Sequence, residues 1–382
     1  MRRLILHIGA HKTGTTALQQ SLKVNRALLA TAGAAYVSSP DTAQLHSYLG
    51  FANRDSLFPE GFRSLDADAL ADRLAAADDR GVTQDLVIAS SENFSFFFER
   101  SAIAALKGAL QRHFDDIRIV SYLRRQDRHA VSHHQEGAKA NRRAEGDLWG
   151  HALSALPTPS SRQALYLDYD RRLGLWADEF GDDRLTLRVY DRALMKDGDI
   201  VADFLALVGL EVTGLTTLGD RNVSLGAAQA KTGHLMNGLG VRPKMMDAIL
   251  RRIEPGGRLL PSEAEARAFL EPYRSGNRRL NARFRVSDQP DLFNDDFDDY
   301  PRTPQSGWTE DGATAALRAV LAQLAEVEDA QDALTADDLR LAALALKDRH
   351  PDSALRLVSA AQVLRPGGKA IQRLKAALEE RR

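Results

Sequence analysis

The apolar residues of this chain come in two rhythms. Residues 3–9 (RLILHIG), 86–90 (LVIAS), 117–123 (IRIVSYL) and 185–190 (LTLRVY) are short, β-branched and Leu-rich runs. Runs of that length predict strands buried on both faces of a parallel sheet. The segments between them carry Ala and Leu at helical spacing. After the first strand, Leu18, Leu22 and Leu29 fall on one helical face, and Gly33 is placed to stop that helix. Strands alternating with amphipathic helices predict an α/β fold, a three-layer α/β/α arrangement around a central parallel sheet.

Past residue 191 the strand rhythm ends. Helical periodicity broken by Gly or Pro runs through 191–208, 225–238, 243–252 and 262–284. The turn-rich stretch 286–309, where Asp291, Asp295, Asp296, Asp298 and Asp299 alternate with Phe and Tyr, is expected to wrap over the core. It lacks the spacing of a calcium loop, so its carboxylates are read as a solvated lid or turn. Ala/Leu helices resume at 311–382 and end in DSALRLVSAAQVLRPGGKAIQRLKAALEE, similar to one and a half units of a tetratricopeptide-like hairpin. A lone unit cannot bury its own face, so this helical C-terminal extension is expected to dock on the core or on a partner subunit. The expected division is a domain over 1–310 and an extension over 311–382.

Charge narrows the classes of partner. The 382 residues hold 51 Lys and Arg against 52 Asp and Glu, a formal net charge of −1. Nucleic-acid and membrane-surface proteins normally carry a one-signed field, so neither partner is expected. With 44% hydrophobic residues the chain can bury a large core. Cysteine is absent, which excludes disulfides, thiolate nucleophiles and Cys-ligated zinc. The first apolar run turns at once into Gly, Lys and Thr, too early for a signal peptide, and no stretch approaches the ~20 apolar residues of a membrane helix. A soluble, cytoplasmic protein is the expectation.

The candidate chemistry starts at 7–19, HIGAHKTGTTALQ, between the first strand and the first helix. Gly9 and Gly14 are five apart and Thr15-Thr16 open the helix, the frame of a phosphate-cradling loop. Such a loop aims backbone N–H groups and the positive helix end at one anion. A triphosphate-binding loop has Lys after the second Gly; here Thr15 stands there, and Lys12 lies two residues before Gly14. The anion it suits has a different shape.

KTGTTALQ after a buried strand resembles the 5′-phosphosulfate loop of sulfotransferases that use 3′-phosphoadenosine 5′-phosphosulfate (PAPS). The resemblance implies a P-loop-like fold, PAPS as co-substrate without a metal, and contacts from Lys12, Thr13, Gly14, Thr15 and Thr16. A second match lies in IVSYLRRQDRHAVSHHQ: Arg124 ends a strand and Ser132 follows eight residues later, similar to the family's 3′-phosphate signature. An Arg fork and a hydroxyl from adjacent elements can hold a phosphate without a metal. The family's Pro after the Arg is missing here, so Arg125 and Arg128 stand as substitutes for Arg124. A third match, Arg221 in RNVSL, places that residue near the nucleotide. The likeness extends over roughly residues 1 to 285, including YDRRLGLWADEFGDDRLTLRVYDRALM, which looks like the bacterial branch of the family.

Sulfuryl transfer needs a base for the acceptor proton. Glu92, just after the strand at 86–90 and beside Phe94, Phe96 and Phe97, is the first candidate, although SSEN also reads as a helix cap. His46 is the second, by its ordinary pKa. His129 and His133, four apart, have the spacing of a metal pair but no acidic third ligand, and read as a solvated helix face. Asp191, at the end of LRVYD, reads as an N-cap. Arg142 and Arg143, after Lys139, are candidates to face an anionic saccharide or lipid head group, although a basic helix end also reads as solvated. The alternatives are a P-loop kinase using ATP and Mg²⁺, and a non-catalytic scaffold acting through the helical tail.

Overall fold

A computed structural model describes residues 1–38, 67–76, 84–139, 153–216, 225–332, 335–348 and 350–380, with backbone alone over 325–332. Among the described residues five parallel strands form one sheet: β1 (Arg3–His7), β2 (Ala34–Val37), β3 (Leu86–Ser90), β4 (Asp116–Leu123) and β5 (Leu185–Val189), in the order β2-β3-β1-β4-β5. β1 pairs with β3 from Arg3 opposite Leu86 to His7 opposite Ser90, and with β4 through His7 opposite Val120. The register ends β1 and β3 at the same level. Their following loops, and the loop after β4, therefore open side by side at the C-terminal edge, where the chain crosses from one side of β1 to the other. Open α/β sheets bind ligands in that crevice.

The helices around the sheet are α1 (Thr15–Val24), α2 (Arg26–Thr31), α3 (Ala67–Ala76), α4 (Arg100–Leu110), α5 (Gln126–Glu136), α6 (Ser161–Leu167), α7 (Tyr169–Phe180) and α8 (Ile200–Leu207). Strand side chains alternate between two apolar layers. Ile5, Tyr36, Ile88 and Val120 pack against Leu18 and Leu22 of α1, Leu29 of α2 and Phe204 of α8. Leu4, Leu6, Val87 and Ile119 pack against Leu74 of α3, Leu106 of α4 and Trp176 of α7. The result is the three-layer α/β/α arrangement expected from the strand and helix rhythm.

Local departures have local causes. β2 was not expected, because AAYV after Gly33 is short and weakly apolar; it is an edge strand held by β3. The helix expected through Leu29 breaks at Asn25, whose Nδ2 donates to the carbonyls of Ser21 and Thr216 at 2.8 and 3.0 Å. Asp191 does not cap a helix: its Oδ1 accepts from the Ala193 amide in a turn, and Asp199 caps α8 through the Val201 and Ala202 amides. After α9 (Ala227–Gly238) and α10 (Pro243–Leu250), the stretch 262–284 divides into α11 (Glu263–Leu270) and α12 (Arg274–Phe284). Leu292 and Phe293 of the turn-rich segment join the main core. Its carboxylates are not simply solvated: Asp295 meets Arg267 and Arg274, and Asp291 meets Arg278.

The described residues group into two compact units, Met1–Ala316 and Leu317–Arg382. A helix α13 (Glu310–Asp332) spans the division and is followed by α14 (Ala336–Leu346), α15 (Pro351–Leu364) and α16 (Lys369–Glu379). In the second unit Ala343, Ala354, Val358, Ala361 and Ile371 form a small core of their own. The small alanines Ala343, Ala354 and Ala361 let α14 and α15 approach closely. No helix among the described residues is long and apolar enough to cross a membrane.

Asp203 fastens α8 to the sheet. Its carboxylate accepts from Tyr122 Oη of β4 at 2.7 Å, from Arg188 Nη2 of β5 at 2.7 Å and from the Lys196 amide at 3.0 Å. Burial pushes the Asp203 carboxyl up, but these bonds outweigh it and hold the group below its ordinary value. Removing the buried carboxylate leaves the Tyr122 hydroxyl without its acceptor while the half-exposed Arg188 can be solvated, so Asp203→Ala should lower the unfolding free energy by about 1–3 kcal/mol in urea titrations. A loss under about 1 kcal/mol would show that the network contributes no more than a surface pair.

Candidate functional site

The segment from Gly9 to Gly14 turns the chain from β1 into α1 through three left-handed residues, Gly9 (φ 83), Lys12 (φ 61) and Gly14 (φ 74). Lys12 adopts this conformation without the glycine exemption, which costs about 1 kcal/mol or more and marks a constrained loop. The loop is tied at its start by Ile8 N to Val120 O (2.9 Å) and Ser95 Oγ to Ile8 O (2.9 Å). Thr13, fully buried, donates its hydroxyl back to the Ala10 carbonyl at 2.6 Å. Gly14 begins α1 with no side-chain cap; Thr15 behind it is buried and Thr16 exposed. The first-turn amides of α1 thus sit at the positive end of a helix that its own side chains leave uncapped.

Arg124, directly after β4, is the arginine that reaches this loop: its Nη1 donates to the Lys12 carbonyl at 3.2 Å. Burial weighs against its charge first, and Arg128 adds to that. Tyr190, after β5, lies 6.0 Å from the Arg124 guanidinium and so close to Gly14 that a Cβ there would stand 2.9 Å from the ring. Arg125 turns away. It forks onto both oxygens of Asp127 (2.8 and 3.0 Å), donates to the Asn294 carbonyl and stacks 3.8 Å above Phe297, so it anchors the turn-rich segment. Arg128 points to the same segment, 3.1 Å from Asp299. Of the three arginines, Arg124 contacts the loop, while Arg125 and Arg128 are engaged by Asp127 and by the turn-rich segment.

The other wall is α5. Its residues His129, Ser132, His133 and Glu136 share one face at helical spacing. Glu136 accepts from Lys12 Nζ at 2.9 Å and from Lys139 Nζ at 2.8 Å. Ser132, one turn earlier, is half-buried on this face. Both ends of the Lys12 pair are shifted down, which favours the carboxylate charge and opposes the ammonium charge. Burial pushes Glu136 up, but two ammoniums overcome it and bring the carboxyl down to about 2. Burial also lowers Lys12, and one shared carboxylate does not make up for it against Lys139 and Arg124. His129 and His133 are buried, not solvated as expected: His133 stacks on His11 of the loop with ring centres 5.3 Å apart, and His129 Nδ1 lies 3.2 Å from Tyr169 Oη. Two tyrosines complete the wall. Tyr166 Oη accepts from the His11 amide at 3.1 Å, and Tyr169 Oη donates to the Arg124 carbonyl at 2.8 Å. Glu136, His11, Tyr166 and Tyr169 were not singled out in the sequence; the spacing of Glu136 four residues after Ser132 on one helix is the signal that could have found it.

Glu92 lies at the third side, after β3. It is 8% exposed, and its Cα would be 2.7 Å from a Cβ on Gly9. Ser91 supplies the cap of the short turn Glu92–Phe96, leaving the Glu92 side chain to a different partner. Gln19 of α1 donates to Glu92 Oε2 at 2.7 Å and to Ser90 Oγ at 3.2 Å, and Ser90 Oγ is 2.8 Å from His7 Nδ1. His7 is brought down to about 4 by burial, opposed by Glu92, and is neutral at neutral pH. Of the flanking phenylalanines only Phe96 faces the loop, against His11; Phe94 and Phe97 pack on Trp176.

The structure thus brings Lys12, Thr13, Gly14, Thr15, Thr16, Glu92 and Arg124 to one sheet edge, with Ser132 on the adjoining helix. His46, Arg221, Arg142 and Arg143 lie outside the described residues. No group of three or more His, Asp or Glu that could hold a metal ion occurs among the described residues. A separate cleft of about 410 Å³, lined by Gln126, Asp168, Tyr169, Tyr273, Asn277 and Arg279, includes neither Lys12, Glu92 nor Arg124.

No family model matches the chain. Over 106 residues it is 31% identical to an uncharacterized protein of Archaeoglobus fulgidus, a stretch that is 26% of this chain and 25% of that protein. The chain thus spans about a quarter of the length of the curated relative it matches. A crystal structure of a sulfotransferase from Alicyclobacillus acidocaldarius, 16% identical, is similar over 75% of this chain and 97% of that one, with a TM-score of 0.40. Likeness at this level assigns no activity, so the chemistry must come from the side chains.

Two outcomes follow for the loop and its counter-ion. Gly9→Ala should lose more than about 1–2 kcal/mol of stability, because the left-handed φ and the Glu92 backbone both resist a Cβ; calorimetric unfolding measures it. The Glu136 carboxyl lies below its unfolded value of 4.5, so its contribution is present above that pH and is lost as pH falls towards about 2. Urea unfolding across that range should show this decline, and Glu136→Gln should flatten it.

Proposed function

We propose that this protein moves a sulfuryl group from PAPS to a hydroxyl or amine acceptor, such as a saccharide or lipid, releasing 3′,5′-adenosine bisphosphate. One observation carries the reading: a left-handed, uncapped loop bearing Lys12 meets the Arg124 guanidinium at the shared end of β1 and β4. Two cationic groups from adjacent strands, each beside a helix start, suit a molecule with two separated anionic groups. Buried Thr15 at the triphosphate-lysine position favours an oxyanion other than the γ-phosphate of ATP.

The residues have roles that balance the reaction. The acceptor atom bonds to sulfur as the bond from sulfur to the bridging oxygen of the 5′-phosphate breaks, and the electron pair stays on that oxygen. Lys12 and the amides of Thr13, Gly14, Thr15 and Thr16 stabilise the charge that builds there. Arg124 and Ser132, with Arg221, hold the 3′-phosphate. Glu92 accepts the acceptor's proton, with His46 as the alternative base. A sulfuryl group carries less charge than a phosphoryl group, so positioning and fixed cations supply the stabilisation without a metal.

Calorimetry with 3′,5′-adenosine bisphosphate tests the class, and micromolar binding is expected without Mg²⁺. With labelled PAPS and a responding acceptor, Lys12→Ala and Arg124→Ala should each reduce turnover well beyond about tenfold, more than 1.4 kcal/mol of barrier, whereas Lys231→Ala should not. Wild-type rates in both variants would discard the site, and binding of ATP with Mg²⁺ in place of the bisphosphate would favour a kinase.

A further inference from the structure

The buried stripe of α7 consists of Tyr169, Arg172, Leu173, Trp176 and Ala177, the spacing of a core-facing helix. Arg172 occupies a position where that pattern calls for an apolar residue. It is fully buried, and none of its three guanidinium nitrogens has a hydrogen-bond partner among the described residues. Asp168 is near enough to favour its charge, but burial dominates and lowers the group from its ordinary value. Burying a guanidinium without a paired acceptor opposes folding. What the guanidinium does have is two ring faces: its carbon lies 5.3 Å from the centre of Tyr166 and 5.3 Å from the centre of Tyr169.

Those rings are the ones that hold the two halves of the site. Tyr166 Oη takes the His11 amide at 3.1 Å and is 2.9 Å from His11 Nδ1, which fixes the loop after β1. Tyr169 Oη donates to the Arg124 carbonyl at 2.8 Å, which fixes the residue after β4. Arg124 in turn reaches the Lys12 carbonyl. The positive charges of Lys12, Arg124 and Arg172 all act on His129, so they belong to one local field. A cation on a tyrosine face is attracted by the ring and restricts its orientation.

We propose that Arg172 is a positioning residue of the anion cradle, clamping Tyr166 and Tyr169 so that their hydroxyls hold the His11 amide and the Arg124 carbonyl in register. This rests on reading that cradle as an anion site. Its charge is retained in the core because an apolar side chain there would leave both rings free to turn and would weaken the field at the site. The clamp acts through the two hydroxyls and does not touch the reacting atoms.

The test measures thermal unfolding and the affinity for two probes, 3′,5′-adenosine bisphosphate and inorganic sulfate, in the full chain. Arg172→Met should unfold at or above the wild-type temperature, since an unpaired buried charge is removed, yet bind both anions at least about tenfold more weakly. Arg172→Lys, which keeps the charge, should recover most of that loss. In a Tyr166→Phe/Tyr169→Phe background, Arg172→Met should add less than about twofold, because the clamp then has nothing to hold. Wild-type affinity in Arg172→Met, no recovery in Arg172→Lys, or losses that multiply in the phenylalanine background would each overturn the clamp. If Arg172→Met does not fold, unchanged affinity in the double phenylalanine variant overturns it, and weakened affinity there with affinity within about threefold of wild type in Arg172→Lys supports it. Wild-type binding of sulfate but not of the bisphosphate would refute the nucleotide reading and leave the clamp to be judged on sulfate. Binding of neither would refute both.

Discussion

The contact on which the site depends is the one from the Arg124 guanidinium to the Lys12 carbonyl. It joins the end of β4 to the loop after β1, two segments that a parallel sheet brings side by side but does not bind to each other beyond the last ladder hydrogen bond. It adds a direct bond from the β4 end to a loop otherwise tied at its base, through His11 and through the Lys12 ammonium on Glu136. With it, each polar group of the left-handed Lys12 has its own partner: the carbonyl accepts from Arg124 and the ammonium pairs with Glu136.

Around that contact charge is arranged unevenly. Glu136 balances Lys12 and Lys139 together. Arg125 and Arg128 are compensated by Asp127 and by the Asp-rich segment, and so hold that segment against the sheet edge. Arg124 makes no carboxylate pair among the described residues, and Arg172 makes no polar bond there at all. A chain with a net charge of only −1 thus keeps uncompensated positive charge in one small region. In a low-dielectric setting that is unfavourable for folding and favourable for binding an oxyanion, and the two effects belong to the same residues.

The wall behind the loop is aromatic and histidine-rich where a simple core would be aliphatic. His11, His133, Phe96 and Tyr166 pack as rings against one another, while hydroxyls and imidazole nitrogens make the hydrogen bonds. Rings of this kind fill volume with few rotatable bonds, so they fix polar atoms more closely than long flexible side chains do. The Glu92–Gln19–Ser90–His7 chain does the same beneath the loop, where a histidine kept neutral by burial adds no further charge.

What the sequence by itself determined is whatever depends on neighbours along the chain. The runs at 3–9, 86–90, 117–123 and 185–190 carried the strands, and GAHKTG carried the loop, because left-handed turns and buried strands are local demands written in Gly and in β-branched residues. The edge strand Ala34–Val37 was not legible, since its strand character comes from β3 and not from its own four residues. Arg124 was placed first from its position at the strand end, but the directions of the paired guanidiniums, Arg124 to the Lys12 carbonyl and Arg125 to Asp127, were not legible, because adjacent residues differ only in which way β4 delivers them. The burial of His129 and His133, and the partners Glu136, Tyr166, Tyr169 and Arg172, belong to the tertiary structure alone. They lie 115 or more residues from the loop they support, and only the packing of α5, α6 and α7 against it decides that they meet.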